Sequence, residues 1–309
     1  MRVLIIGAGG FVGRALCARL LQSPAKIEAL TLVDQQDFSL PAPRAVPAIK
    51  RIGNFGEPAF CRSILDGMQA VVVLAAVLGG AAEANYSRAR RTNIDATLSL
   101  FEALRNASKP PRTVFASSIA VFGSPLPELV DDTTPSRPAM IYGAQKLMME
   151  VALDHFTRRG WLDGLALRLP GIVARAGADS RLKSAFLNNL FYAIRDGTDI
   201  ELPVSRPSTT WLMSSAKIAE NLEHALHVPR AALGDACALN LPCIRLTIEE
   251  LIAGLKRRYP DSRAAISCRP DPEIEAQFGR YPPLEAAIAG RLGFTADESV
   301  EALIRGAMP

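Results

Sequence analysis

Tyr142 and Lys146 close the pentapeptide Tyr142-Gly143-Ala144-Gln145-Lys146. On a helix that i, i+4 spacing puts both side chains on one face. An ammonium beside a phenol favours the phenolate, so Lys146 is expected to pull Tyr142 below the ordinary tyrosine value of about 10. A tyrosine activated in this way is a general base for an alcohol proton. Ser117 and Ser118 follow the run Thr113 to Ala116, which reads as a strand. At the carboxyl edge of a parallel sheet, where ligands bind, Ser118 would hold a substrate oxygen against Tyr142.

A second constellation lies at the start of the chain. Gly7, Gly10 and Gly13 stand three residues apart between the apolar run Val3 to Ile6 and a helical pattern over Phe11 to Leu21. Such glycines permit a tight turn off a strand, close approach of a pyrophosphate, and close packing of the helix on the sheet. Phe11 and Val12 sit in the same turn, where the free N–H groups and the positive end of the helix dipole favour phosphates. Asp34, at the end of a second apolar run (Leu30 to Val33), comes 21 residues after Gly13. A carboxylate there accepts from both ribose hydroxyls of an adenosine and repels a 2′-phosphate, so the expected cofactor is NAD. A nicotinamide cation near Tyr142 would acidify the phenol further.

The elements that must position these residues alternate. Strands are predicted at Val3–Ile6, Leu30–Val33, Val46–Ile49, Ala70–Leu74, Thr113–Ala116 and Leu165–Leu169. Helices are predicted at Phe11–Leu21, around Phe60–Leu65, at Ala89–Ala107 and at Ile141–Phe156. Bare apolar runs are the mark of strands buried on both faces. The predicted fold class is therefore α/β: a doubly wound parallel sheet of the Rossmann type over 1–169, with a smaller C-terminal substrate-binding lobe over 170–309. Some segments of that lobe are expected to return to the Rossmann domain. Beyond Pro170 helical patterns near Leu182–Ile194, Ala216–Leu226, Ile248–Arg258 and Leu284–Ala289 alternate with Pro-rich stretches.

Composition narrows the classes. The chain has 309 residues and a formal net charge of +4, too small a surplus to point to nucleic acid. The short basic run Ser87–Arg91 reads as a solvated helix face. Five widely spaced cysteines, without Cys-x-x-Cys, suit reduced thiols in a cytoplasm rather than disulfides or zinc. The longest apolar stretch, Ala70 to Ala82, has 13 residues, short of the roughly 20 of a membrane span. His224 and His227 lie three apart but lack further ligands, so no metal is expected. The expected partner is a small-molecule substrate, with no nucleic acid and no membrane.

The sequence resembles the extended short-chain dehydrogenase/reductase family, also called the NAD-dependent epimerase/dehydratase family. The motifs are the three glycines, Asp34, Leu74-Ala75-Ala76, Arg91-Thr92-Asn93, Ser117–Gly123, Tyr142-x-x-x-Lys146 and Leu167-Arg168-Leu169-Pro170. The resemblance implies a catalytic triad of Ser118, Tyr142 and Lys146. It implies that Asn93 supports the site, that Leu74, Ala75, Ala76 and Val77 line the cofactor, and that Pro170 and Ile172 lie near the nicotinamide. It also implies a homodimer built on the helices 89–107 and 141–156.

Two departures bear on substrate. Phe122 replaces the usual tyrosine of the serine motif, which is not the catalytic one. The segment Leu169–Gly177 lacks the asparagine with which sugar-nucleotide members grip a diphosphate. With Leu202-Pro203-Val204-Ser205-Arg206, this segment looks like the D-erythronate dehydrogenase branch. A sugar-acid carboxylate needs a cation, and Arg175 and Arg206 are the candidates. The leading expectation is an NAD-dependent dehydrogenase of a small sugar acid or polyol. The alternatives are a nucleotide-sugar epimerase or dehydratase that recycles its NAD, and a non-enzymatic dinucleotide sensor.

Overall fold

The computed structural model describes residues 1–23, 26–42, 44–177 and 184–308. The first half runs β1 (Arg2–Ile6), α1 (Phe11–Leu20), β2 (Ala29–Asp34), β3 (Ala48–Ile52), α2 (Pro58–Leu65), β4 (Ala70–Val73), α3 (Gly79–Ala84) and α4 (Tyr86–Arg90). A π-helical turn over Arg91–Ala96 leads into α5 (Thr97–Leu104), then β5 (Arg112–Ser118), α6 (Ile141–Arg158) and β6 (Asp163–Leu169). The second half runs β7 (Gly171–Val173), α7 (Ala185–Asp196), β8 (Ile200–Leu202), β9 (Thr209–Ser214), α8 (Ser215–Ala225), α9 (Arg230–Leu233) and β10 (Ala238–Asn240). It ends with β11 (Ile244–Thr247), α10 (Ile248–Arg258), β12 (Ile266–Cys268), α11 (Pro272–Phe278), α12 (Ala287–Arg291) and α13 (Val300–Ala307).

Seven strands form one sheet in the order β3-β2-β1-β4-β5-β6-β10, every neighbouring pair parallel. The sheet is the Rossmann α/β fold expected from the sequence. Its topological switch lies between β1 and β4, where the chain has built outward to β3 and returns to the other side of β1. Both faces are covered, which explains the unalternating runs. In β1, Val3 and Ile5 pack with Leu16, Leu20, Ile218 and Leu222, while Leu4 and Ile6 pack with Ile64, Leu100 and Phe101.

Two local readings are corrected. The third strand is Ala48–Ile52, not Val46–Ile49: it is an edge strand, and its charged Lys50 and Arg51 hide it from a pattern search. The long helix expected over 89–107 is divided by the π turn, which widens the spiral and carries Asn93 into the interior.

Segments beyond residue 170 contribute to both cores. Helix α8 packs on α1, and β10 extends the main sheet beside β6. Arg112 at the start of β5 ties α8 down: it donates to the Ala225 and Val228 carbonyls, satisfying the helix end, and to Asp163. A second core gathers α7, α10 and α13 round Phe191, Leu212, Leu251 and Leu303, under the three-stranded sheet β11-β9-β7. The two cores face each other across the carboxyl ends of β1, β4, β5 and β6. The cleft between them holds the candidate site.

Candidate active site

At the switch point the β1–α1 loop is shaped by backbone proximity. Gly7 has φ +92°, and a Cβ on it would lie 2.6 Å from the Ala75 amide nitrogen. A Cβ on Gly13 would lie 2.1 Å from the Gly7 carbonyl oxygen. Neither position admits a side chain, so the loop and the first turn of α1 stay flat against the crevice. Among the described residues no side chain caps α1, leaving its first N–H groups for an anion. Arg14 Nε donates to the Gly9 carbonyl at 2.8 Å and braces the loop.

Asp34 ends β2 with its carboxylate beside this loop. Its Oδ2 accepts from Gly9 N at 2.9 Å and its Oδ1 from Gln36 N at 3.2 Å. The crevice is about 610 Å³ and is lined by Gly7, Gly10, Phe11, Val12, Gly13, Asp34 and Leu74 to Val77. Those are the residues singled out from sequence, brought to one place. It is also lined by Arg14, Gln36, Phe55, Arg88 and Thr92, which sequence reasoning passed over. Arg88 belongs to the run read as a solvated face; the turn at Asn85, whose side chain accepts from Arg88 N, brings it to the rim. The flat glycine turn, the uncapped helix and the terminal carboxylate suit the diphosphate and ribose of NAD.

Asn93 does not line the crevice. It is 3% exposed and clamps the loop that does: its Oδ1 accepts from Val77 N at 2.8 Å, and its Nδ2 donates to Val77 O at 2.9 Å and to Gln145 Oε1 at 2.7 Å. Its placement is that of a support behind the site rather than a cofactor contact.

Ser118, the last residue of β5, accepts from Ala120 N at 3.1 Å and so starts the short 3₁₀ turn Ile119–Val121. Helix α6 brings Tyr142 and Lys146 to the same space. A small chamber of about 170 Å³ is lined by Ser118, Tyr142, Lys146, Pro170, Ile172 and Arg175, together with Val12, Leu74 and Ala76. Ser118 and Tyr142 also line the adjoining cavity of about 230 Å³, with Arg175, Asn188, Trp211, Gln277 and Tyr281.

The electrostatics depart from the sequence expectation. Burial pushes the Tyr142 phenol up to about 12, and the groups that oppose this are the Arg175 charge and a hydrogen bond with Ser118. Lys146 does not supply that lowering. Its ammonium donates to the Ala116 carbonyl at 2.6 Å and lies over the Tyr142 ring, 5.6 Å from the centroid. Burial pushes Lys146 down to about 7, against the charge of Glu150.

The two candidate carboxylate binders separate. Arg175 reaches the junction of crevice, chamber and cavity. Its guanidinium stacks on Phe11 at 5.5 Å, its buried Nε has no partner among the described residues, and its amide nitrogen donates to Asn188 Oδ1 at 2.7 Å. Arg206 lies away from the cleft, its guanidinium bound to Glu249 at 2.7 Å and to the Ile266 carbonyl at 3.1 Å. Arg206 lines none of the cavities of the cleft, so among the described residues the structure brings Arg175 and not Arg206 to the site. Among the described residues no group of three or more His, Cys, Asp or Glu could hold a metal ion, and no helix is long and apolar enough to cross a membrane.

The model of the NAD dependent epimerase/dehydratase family matches residues 3–208. The chain is 33% identical to D-erythronate dehydrogenase of Cupriavidus necator over 100% of this chain and 98% of that protein. It is 32% identical to D-erythronate dehydrogenase of Haemophilus influenzae over 82% of this chain and 81% of that one. Among solved structures, the nucleoside-diphosphate-sugar epimerase from Agrobacterium tumefaciens superposes with a TM-score of 0.89 at 32% identity, over 98% of this chain and 92% of that one. Crevice, glycine turn and sequence relationship agree: the chain belongs to the NAD dependent epimerase/dehydratase family and is an NAD-dependent dehydrogenase or epimerase.

Proposed function

We propose that the enzyme oxidises a secondary alcohol of a small sugar acid, D-erythronate or a near relative, by way of Ser118, Tyr142 and Lys146. The observation that carries this reading is Arg175. A cation whose buried Nε has no partner among the described residues stands in the wall of the cavity that Ser118 and Tyr142 also line. A carboxylate satisfies such a fork with two charge-assisted hydrogen bonds. At about 230 Å³ the cavity suits a short polyol acid and lies below the ~300–1,000 Å³ of pockets that take larger ligands. The two D-erythronate dehydrogenases support the same substrate class.

In this reading Tyr142, as phenolate, takes the hydroxyl proton of the alcohol. Ser118 donates to the oxygen as it becomes a carbonyl. Lys146 holds positive charge beneath the phenol ring. Arg175 fixes the acid end so that one carbon faces the chamber between Pro170 and Ile172. When bound, NAD supplies the hydride acceptor.

We read the enzyme as a homodimer through the face of α5 and α6, supported by Met148 and Val151 three apart on α6, 45% and 63% exposed, with Tyr86 of α4 52% exposed. The free cysteines support a reducing, cytoplasmic setting. The deciding experiment is a screen of aldonic acids and UDP-sugars with NAD, following NADH absorbance. NADH from a four-carbon acid supports the proposal. Conversion of a UDP-sugar without net NADH, and no NADH from any acid, would establish the nucleotide-sugar epimerase instead.

A further inference from the structure

The run Leu202-Pro203-Val204-Ser205-Arg206 lies outside the cleft, yet its residues converge on one neighbouring segment, 266–279, which leads from β12 into α11. The Leu202 carbonyl accepts from Arg269 N at 2.9 Å, and the Pro203 carbonyl from Asp271 N at 2.9 Å. Val204 is buried in the second core. Arg206 Nη2 donates to the Ile266 carbonyl at 3.1 Å. Ser205 completes the set: its amide donates to Glu275 Oε1 at 2.9 Å, and its hydroxyl donates to the same oxygen. Ser208 Oγ adds another donor to that oxygen at 2.7 Å. Hydrogen bonds to a carboxylate are about twice as strong as neutral ones, so Glu275 is firmly latched.

Helix α11 needs such a latch. It has seven residues, none of them fully buried, and a helix this short does not hold in water by itself. Ile274 and Phe278 rest partly buried against the second core. Asp271 caps the first turn, its Oδ1 accepting from Glu273 N at 2.9 Å and from Ile274 N at 3.0 Å. At the far end the Gly279 carbonyl accepts from Thr209 N at 2.8 Å. Held at both ends and by Glu275 between them, α11 brings Gln277 and Phe278 into the wall of the cavity that Ser118, Tyr142 and Arg175 also line.

A short polyol acid asks more of that cavity than those three residues supply. Arg175 faces the carboxylate, and Ser118 and Tyr142 face the reacting hydroxyl. Any other hydroxyl buried there without a partner costs free energy. A hydroxyl both donates and accepts, and a primary amide offers both functions. Among the described residues no side-chain hydrogen bond engages the Gln277 amide. We propose that Gln277 is a specificity-determining residue that reads a hydroxyl of the substrate's polyol chain, and that Glu275, latched by Ser205 and Ser208, is the positioning residue that holds it there. The proposal rests on the sugar-acid reading above. It gives the run 202–206 a bearing on substrate at one remove: these residues seat the helix and do not touch the acid.

The test compares D-erythronate with 2- and 3-hydroxybutyrate, which keep the carboxylate and a single hydroxyl. The hydroxybutyrates are followed as substrates with NAD, or as competitive inhibitors of D-erythronate oxidation where their turnover is too slow. Gln277→Leu keeps the bulk and removes the amide. It is expected to lower kcat/KM for D-erythronate roughly tenfold, the scale of one lost hydrogen bond. The hydroxybutyrates make no such contact, so the preference for D-erythronate shrinks by the same factor. Glu275→Ala is expected to raise KM for D-erythronate several-fold with kcat within about twofold of the parent. Combined with Gln277→Leu it adds little, because both act through one contact. Glu275→Gln keeps an acceptor for the two serines and recovers part of the parent KM. If Glu275→Ala fails to fold, Gln277→Leu and Glu275→Gln decide. A Gln277→Leu variant that loses all the acids equally, or none, would overturn the role of Gln277. Full additivity of Glu275→Ala with Gln277→Leu would overturn the latch. The two levels separate in the parent enzyme: if no acid yields NADH, the sugar-acid reading fails and takes this proposal with it. If D-erythronate yields NADH and Gln277→Leu keeps the parent preference, this proposal fails alone.

Discussion

The Arg175 guanidinium, rather than the Lys146 ammonium, is the cation that draws the Tyr142 phenol down against its burial. The two arginine and lysine charges approach the tyrosine from different sides: Lys146 from its own helix, beneath the ring, and Arg175 from the segment after β7, on the cavity side. Arg175 therefore has two tasks, one towards a substrate carboxylate and one towards the base. Removing it in Arg175→Met is expected to raise KM for the sugar acid about ten- to a hundredfold, the equivalent of a charged hydrogen-bonded contact of ~1.5–3 kcal/mol. It is also expected to move the activity rise to higher pH. Arg175→Lys recovers part of the second effect and little of the first, because an ammonium lacks the planar fork. A neutral polyol of equal length provides the check. Its KM should hardly change in Arg175→Met; an equal rise for acid and polyol would show that Arg175 does not read the carboxylate.

Tyr142→Phe removes the hydroxyl while leaving the ring against Lys146. The expected loss in kcat is about 10²–10⁴-fold, the range of a positioned general base. NAD binding, followed by fluorescence or calorimetry, should stay within a few-fold of the parent, since the crevice round Gly7, Asp34 and Val77 is untouched. A parent-like kcat would remove Tyr142 from the chemistry.

Legibility from sequence divides along a physical line. Where a residue's role depends on its own segment, the sequence carries it. The bare run Val3–Ile6, the three glycines and the Tyr142/Lys146 spacing are of this kind, and so is α10, whose start is marked by Thr247 and Glu250 in a reciprocal cap. Where the role comes from a partner far along the chain, it does not. Arg88 looks like any solvated arginine until the crevice wall is assembled beside it. Strand β10 has only three residues and is a strand because β6 offers an open edge. Arg175 and Arg206 were equal candidates in sequence, and Glu249 and the cleft geometry distinguish them. The i, i+4 spacing puts Lys146 and Tyr142 beside one another on α6, but their electrostatics depend on burial and on Arg175, which no spacing encodes.

Burial of Lys146 links stability to pH. Its folded value near 7 lies below the ordinary lysine value of 10.5, so the unfolded chain binds more protons between these limits. Stability from this group is therefore full above about pH 10.5 and lost as pH falls towards 7. Tyr142 has the opposite sign: its folded value near 12 lies above the ordinary 10, so its contribution holds below pH 10 and is lost as pH rises towards 12. Without cofactor, the melting temperature of the parent relative to Lys146→Met is expected to climb by a few degrees between about pH 7 and 9.5. A difference that stays flat over this window would mean that the buried amine does not titrate there.

The glycine turn makes the sharpest prediction for the cofactor. A Cβ at Gly13 would press on the Gly7 carbonyl at 2.1 Å and on the Ala8 carbonyl oxygen at 2.8 Å, all backbone. No flexible side chain can yield there, so α1 must move away from β1. Gly13→Ala is expected to cost about 1–3 kcal/mol of stability, the range for overpacking a closed contact. NAD affinity should fall at least tenfold, because the first-turn N–H groups move with the helix. Gly177→Ala is the control: a Cβ there meets none of the described residues within 4 Å, although its φ of +60° carries a local strain cost. It lies outside the β1–α1 turn and should leave NAD affinity near the parent value. Were Gly13→Ala to bind NAD as well as Gly177→Ala, the close contact between the first helix and the turn would not be what holds the diphosphate.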